Sequence, residues 1–335
     1  MFLSFEKGVK IKSIGHFLPT EVINNEKLLE NKNLPITSEW IKKRVGVETR
    51  HKISDDMTNS DMAVNACKSA IEKSNIKVQD IELIILSTIS PDNPNPSTAC
   101  AVQNKLGISE TLCPSFDISA ACSGFIYALD IGSRNILTGL NNVLIVSSEV
   151  RSRFINPKDP VTYPIFGDGA GAVILEPCEK GKGFIGIEIM SDGRGYKSVH
   201  IPAGGSSKPA TIETVENGEH FIKMENGEKI FFEVVEGMTK YTLKFLEKCG
   251  YSIDDIDFVI PHQANLYILK EVAKRLNIDS EKMLINLNRV GNTSSASIPI
   301  ALSEFTENNT IKPNSLVFMV AVGAGHTMGL ALMRT

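Results

Sequence analysis

The chain has 335 residues, 42% hydrophobic and 22% charged, a length that suits two core-bearing units of roughly 150–200 residues. Its net charge of -4 offers no general attraction to nucleic acid or to an acidic membrane, which disfavours both as partners. The six cysteines (67, 100, 113, 122, 178 and 249) include no Cys-x-x-Cys pair and no Cys/His cluster of zinc spacing, so neither a disulfide framework nor a metal site is indicated and reduced thiols in a cytoplasm fit best.

The first residues, Met1 to Lys7, lack the basic, apolar, small-residue order of a secretory signal, and no apolar run reaches the roughly 20 residues of a membrane span. A helix-period segment at 61–75 precedes the apolar run in Val78-Gln-Asp-Ile-Glu-Leu-Ile-Ile, and Asn104-Lys-Leu-Gly-Ile follows. Next, Asp117-Ile-Ser-Ala-Ala-Cys122-Ser-Gly-Phe places one cysteine where a short apolar strand turns into a helix. Backbone N–H groups at a helix start lack intrahelical partners and carry partial positive charge. They predict a Cys122 thiol with a pKa below the free value of about 8.5. The small residues Ala120, Ala121, Ser123 and Gly124 leave room for a group to reach the sulfur. Taken alone, a cysteine followed by Phe125, Ile126 and Leu129 is more readily explained by packing. A strand follows at 143–146. Phe166-Gly-Asp-Gly-Ala-Gly-Ala lacks the strand, glycine loop and helix order of a phosphate loop and reads as a structural turn and strand.

The second half repeats the first. Val78-Gln-Asp-Ile-Glu-Leu-Ile-Ile recurs as Ile253-Asp-Asp-Ile-Asp-Phe-Val-Ile, again behind a helix-period segment at 233–249, at an offset of 175 residues. Asn104-Lys-Leu-Gly-Ile pairs with Lys274-Arg-Leu-Asn-Ile at 170, and Val143-Leu-Ile-Val with Leu316-Val-Phe-Met at 173. Near-constant offsets argue for two copies of one αβ unit with buried, largely parallel strands. In the second copy, Pro261-His262-Gln-Ala-Asn265 follows the strand at 257–260 and leads into an amphipathic helix over 264–276. The junction corresponding to Cys122 falls at Gly291-Asn292-Thr-Ser-Ser-Ala-Ser, with Asn292 as its counterpart. Cys122, His262 and Asn292 then all lie at strand ends or helix starts, where α/β sheets place their ligands. Each also has an ordinary structural explanation: a satisfied histidine, or an asparagine helix cap.

Ala-Ala-Cys122-Ser-Gly-Phe, Pro-His262-Gln-Ala-Asn265, Gly-Asn292-Thr-Ser-Ser-Ala-Ser and the tail Val322-Gly-Ala-Gly-His326-Thr-Met-Gly occur in this order along essentially the whole chain. Together they resemble the β-ketoacyl-acyl-carrier-protein synthase III family. The resemblance implies an α/β fold of the duplicated thiolase-like type, a layered α/β/α/β/α core with halves at 1–178 (nucleophile) and 179–335 (His and Asn). It implies a homodimer without membrane insertion and no cofactor, acyl-CoA being a substrate. Cys122 would take the acyl group, the backbone N–H groups of Cys122 and Ala324 would hold the oxyanion, and His262 and Asn292 would assist decarboxylation of a malonyl thioester on carrier protein or CoA. By the same resemblance Trp40, Arg44, Arg153 and Asn265 match CoA-binding positions, and Lys274 and Arg275 match the carrier-protein docking patch.

Several positions depart from the family pattern. Asn95 stands where a large apolar residue commonly crosses the dimer to close the acyl pocket, and Val322, His326 and Met328 replace aromatic or large apolar residues. Losing bulk while adding amide and imidazole predicts an acyl group longer or more polar than acetyl, although His326 equally suits a packed, satisfied ring. Phe232 and Tyr267 replace docking cations. The activity expected is decarboxylative Claisen condensation of an acyl-CoA primer; the alternative is an acyltransferase of the same fold passing the Cys122 acyl group to a hydroxyl, amine or other carbon nucleophile.

Overall fold

The apolar runs form two sets of strands with one shared order. A computed structural model describes residues 1–4 and 7–335. In the first set, β1 (Gly8–Phe17), β2 (Leu83–Ser87), β3 (Ser115–Ile118), β4 (Val143–Glu149) and β5 (Gly169–Cys178) lie in the order β3-β2-β4-β5-β1. The second set contains β6 (Gly183–Ser191), β7 (Phe258–Pro261), β8 (Leu316–Gly323) and β9 (Thr327–Arg334), ordered β7-β8-β9-β6. A parallel bridge from Val259 to Met283 occupies the outer position that β3 holds beside β2. Strand directions match as well: β2 and β4 are parallel like β7 and β8, while β5 runs antiparallel to its neighbours β4 and β1 just as β9 does to β8 and β6. The two sets join at the parallel bridge Val9–Gly183.

Because successive side chains on a strand face opposite ways, each apolar run feeds two layers. On β2, Leu83 and Ile85 join the central core while Ile84 and Leu86 join an outer one. On β8, Val317, Met319 and Ala321 face the same centre, and Leu316, Phe318 and Val320 the opposite outer layer. This two-sided burial is why the strands read as continuous rather than alternating apolar segments. The centre is filled by α3 (Gly124–Leu137) and α6 (Ser297–Glu307), each touching both sets of strands. The helices α1 (Asn59–Glu72) and α2 (Thr98–Lys105) cover one outer face, and α4 (Gly227–Cys249) and α5 (Leu266–Leu276) the other. Each fully buried Leu, Ile or Phe in these layers contributes roughly 1.5–3 kcal/mol.

The repeat extends to local detail, with one refinement. Val78–Asp80 and Ile253–Asp255 are not strand but matching 3₁₀ turns, because Asp80 and Asp255 accept hydrogen bonds from the backbone N–H groups of Lys77 and Ser252 and close the turn. The strands begin at Leu83 and Phe258. The Gly/Asn difference inside the repeated Leu-x-Ile motif also has a reason: Gly107 and Asn277 both take left-handed backbone (φ +74° and +53°) after a helix end, a conformation these residue types tolerate. Among the described residues no helix is long and apolar enough to cross a membrane.

Candidate active site

Cys122 sits in a 3₁₀ turn, Ala121–Ser123, that runs directly into α3. Ala121 has φ +47°, an uncommon conformation for a side chain with a Cβ, and it forces the sharp bend between β3 and the helix. The turn is clamped by the segment between β8 and β9. Ser123 Oγ donates to the Thr327 carbonyl at 3.0 Å, and Thr327 Oγ1 donates to the Ala120 carbonyl at 2.9 Å. Gly323 lets these segments meet, since a Cβ there would lie 2.7 Å from the Cys122 nitrogen. Cys122 and Ala324 thereby line one cavity of about 220 Å³, together with His262 and Asn292.

His262 follows the end of β7 and is buried, its backbone N–H bonded to the Val320 carbonyl at 2.7 Å. Its Nδ1 lies 2.8 Å from Ser297 Oγ, and that oxygen also accepts the Gln263 backbone N–H at 3.3 Å. Asn292 is pinned at both ends. Its backbone bonds Ile165 and Gly167, its Oδ1 accepts the Ser294 N–H at 2.8 Å, and its Nδ2 donates to the Ala264 carbonyl at 3.4 Å. Ser294 Oγ stands 3.7 Å from the Cys122 sulfur. Cys122 and its expected counterpart do not match by position: Ser294 (φ +51°) repeats Ala121, and Ser294–Ala296 repeats the 3₁₀ turn, so Ser295 is the residue equivalent to Cys122. Asn292 lies three residues earlier, on the approach to the turn.

The electrostatics differ from the expectation for a bare helix start. Desolvation pushes the Cys122 thiol up to about 11; the Ser294 hydroxyl and Arg151 pull it down, and Glu149 opposes them. Burial outweighs the helix start because neighbouring protein replaces the water that would solvate a thiolate. Burial also depresses His262 to about 4, against a smaller opposing effect of the Ser294 carbonyl. At neutral pH the site therefore holds a neutral thiol beside a neutral imidazole. The Glu149 carboxylate lies beneath the site, accepting from Ile89 N–H at 3.2 Å and from the hydroxyls of Ser90 and Ser295 at 2.7 Å each.

Among the other predicted positions, Asn265, Val322 and His326 line the same cavity. Asn265 caps α5 through the Tyr267 N–H and donates to the Arg44 carbonyl at 3.2 Å, tying the helix Ser38–Arg44 to the site. Trp40 and Arg44 lie on that helix outside the cavity, with Trp40 40% exposed. Arg153 is exposed, and its Nη2 donates to the carbonyls of Ser54, Asp55 and Met57, which anchors that loop. His326 both lines the cavity and packs against the chain. Its ring lies against Gly195, where a Cβ would come within 2.3 Å, and its Nε2 is 3.2 Å from Glu233 Oε2. Asn95 is exposed and does not line the cavity of its own chain. Lys274 and Arg275 are exposed on the last turn of α5, Arg275 paired with Glu271 at 2.9 Å, with Phe232 and Tyr267 also exposed. Sequence reasoning missed Ser294, Ser297, Glu149 and Arg151. Glu149 and Arg151 carried a usable signal, two charges at the end of a buried parallel strand.

All six cysteines are free, and among the described residues no group of three or more His, Cys, Asp or Glu side chains is placed to hold a metal ion. Two sets of strands of one order within a continuous sheet, with Cys122 at a strand–helix junction of one and His262 and Asn292 from the other lining the same cavity, define a thiolase-like enzyme of the thiol-dependent acyltransferase class. Family models described as 3-oxoacyl-[acyl-carrier-protein (ACP)] synthase III and its C-terminal part match residues 116–193 and 246–335. A β-ketoacyl-[acyl-carrier-protein] synthase III of Caldanaerobacter subterraneus subsp. tengcongensis is 42% identical over 325 residues, 97% of each chain. One of Clostridioides difficile is 40% identical over 97% of each. The crystal structure of 3-oxoacyl-[acyl-carrier-protein] synthase III from Aquifex aeolicus VF5 superposes with a TM-score of 0.88 at 37% identity, covering 98% of this chain and all of that one. The chain belongs to the β-ketoacyl-[acyl-carrier-protein] synthase III family.

Proposed function

We propose that this chain condenses an acyl-CoA primer with a malonyl thioester in two half-reactions at Cys122. The reading rests on one observation: Cys122, His262, Asn292 and Ala324, drawn from both sets of strands, line a single cavity. In the first half-reaction the sulfur attacks the thioester carbonyl, an S–C bond forms, the bond to CoA sulfur breaks, and the thiol proton leaves with CoA. The N–H groups of Cys122 and Ala324 hold the oxyanion, each such donor typically contributing about 3–4 kcal/mol in the transition state.

In the second half-reaction the malonyl thioester loses carbon dioxide and its enolate oxygen is held by His262 and Asn292. Its carbon then forms a bond to the acyl carbonyl while the C–S bond to Cys122 breaks. Donation requires Nε2 to carry the proton. Ser297 supports this tautomer, because its oxygen already accepts the Gln263 N–H and its hydroxyl proton is left for Nδ1. A buried, neutral imidazole suits a donor that must stabilise the enolate without protonating it, as an imidazolium would.

In this reading Trp40, Arg44, Arg153 and Asn265 serve the CoA side, Lys274 and Arg275 dock the malonyl carrier protein, and the halves divide at 178/179. The free cysteines suit a cytoplasmic enzyme. A homodimer is supported by β3, an edge strand beside the exposed Leu112 and Phe116, since an uncovered apolar edge favours pairing with a second copy. The test is intact-protein mass spectrometry with acyl-CoAs, followed by addition of malonyl carrier protein or malonyl-CoA. Acyl mass on Cys122 that is discharged with stoichiometric carbon dioxide and a β-ketoacyl product is expected; discharge to an acceptor without carbon dioxide would overturn the condensation.

A further inference from the structure

Arg151 follows β4 by two residues and is 1% exposed, yet it lines the cavity that holds Cys122. Its Nε and Nη1 are buried without a hydrogen-bond partner, and among the described residues no ion pair reaches it. Phe154 and Phe166 lie 5.9 and 5.3 Å from its central carbon, contacts that orient the group without neutralising it. The buried carboxylates nearest along the fold are already occupied. Glu149 accepts from Ile89, Ser90 and Ser295, and Asp168 accepts the Ile53 N–H at 3.0 Å and the Ser152 N–H and hydroxyl at 2.8 and 2.6 Å. A buried cation without a partner is strongly unfavourable, and arginine cannot escape by losing its proton.

The surroundings say what would complete it. Ile89, Ile165, Phe166, Val199 and Ile222 line the same cavity, and Arg151 is the single Lys, Arg, Asp or Glu among the described residues of its wall, so it is the fixed charge an acyl group would meet there. We infer that Arg151 receives a carboxylate at the far end of the acyl group carried by Cys122, so that the primer is a short dicarboxylic acyl-CoA. The inference rests on the proposed loading of Cys122. A planar guanidinium whose Nε and Nη1 hydrogens have no partner matches the chemistry of a carboxylate, and a cavity of about 220 Å³ accommodates a short chain rather than a long one. The malonyl extender is the other source of a carboxylate. Its carboxylate must give up its charge as carbon dioxide leaves, and a guanidinium bound to it would stabilise the ground state against that step.

The test measures kcat/KM for Cys122 loading with succinyl-CoA against butyryl-CoA and glutaryl-CoA against pentanoyl-CoA, in the unmodified protein, Arg151→Leu and Arg151→Lys. The unmodified protein is expected to favour the dicarboxylic member of at least one pair. Arg151→Leu should reverse that ratio by about 100-fold or more, with Arg151→Lys between them. A preference of the unmodified protein for the monocarboxylic member of both pairs overturns the inference whether or not the variants fold. So does an unchanged ratio in Arg151→Leu accompanied by loss of carbon dioxide release from malonyl-CoA, which would assign the guanidinium to the extender. Failure of every acyl-CoA to load Cys122 defeats the proposed function itself and this inference with it.

Discussion

The two strand–helix junctions at Ala121–Gly124 and Ser294–Ser297 share a backbone and divide the chemistry. Both begin on a left-handed residue, make one 3₁₀ turn and enter a central helix. The first presents its middle residue, Cys122, to the cavity. In the second that residue is Ser295, turned inward to Glu149 at 2.7 Å, while the flanking hydroxyls of Ser294 and Ser297 reach Cys122 and His262. Duplication thus supplied two copies of a bend able to hold a reactive group at a helix start. One copy keeps the nucleophile; the other has become the frame that positions it and the histidine.

The sharpest break of this asymmetry is Cys122→Ala, which should abolish acyl loading while leaving the melting temperature near that of the unmodified protein. Intact-protein mass spectrometry reads it, and stoichiometric acylation of the variant would show that the nucleophile lies elsewhere. His262→Ala and Asn292→Ala should keep loading but lower condensation by about 10²–10³-fold each, the usual cost of one donor to a developing oxyanion. Loading lost with decarboxylation intact would exchange the roles of the two junctions.

How much of this was legible in the sequence follows from what each residue depends on. The doubled architecture could be read because strands buried on both faces leave continuous apolar runs, and three pairs of motifs kept their spacing. Cys122, His262 and Asn292 could be found because they sit inside distinctive local motifs. Ser294 and Ser297 could not: a serine near a helix start reads as a cap, and its role here depends on residues 172 and 35 positions away. Arg151 could not be placed either: that it lines the cavity while Arg153 two residues on is exposed is a distinction made by tertiary packing rather than by composition. The raised Cys122 thiol was equally invisible, because desolvation depends on the assembled cavity.

Cys122 and His262 also titrate in opposite directions, which separates their contributions by pH. His262 binds its proton more weakly when folded, about 4 against an ordinary 6.5, so the unfolded chain holds more protons between those values and stability rises with pH across them. Acidification from about pH 6.5 to 4 should therefore withdraw about 3 kcal/mol. Cys122, raised to about 11 from 9.0, holds its proton more tightly when folded, so its contribution is present at neutral pH and is lost as pH climbs through that range. Denaturant unfolding across pH should show His262→Gln flattening the acid limb alone and Cys122→Ala the alkaline limb alone. Curves parallel to the unmodified protein on both limbs would mean that neither group is desolvated as described.

The smallest predicted effect isolates the second junction's contribution. Ser297 touches neither sulfur nor substrate in the proposed reaction; in that reading its hydroxyl donates to Nδ1 and so leaves the imidazole proton on Nε2. Ser297→Ala should therefore leave acyl loading nearly intact and lower condensation by up to about tenfold, the equivalent of one ordinary hydrogen bond of about 0.5–1.5 kcal/mol. Some stability will also be lost, because the Gln263 N–H forfeits an acceptor in a buried place. Lost stability alone would lower both half-reactions together. A positioning role instead lowers condensation selectively, shifts its pH profile toward that of a histidine no longer held in one tautomer, and is restored by Ser297→Thr, which returns the hydroxyl. Equal losses in the two half-reactions, with no recovery in the threonine variant, would reduce Ser297 to packing and leave His262 oriented by its burial alone.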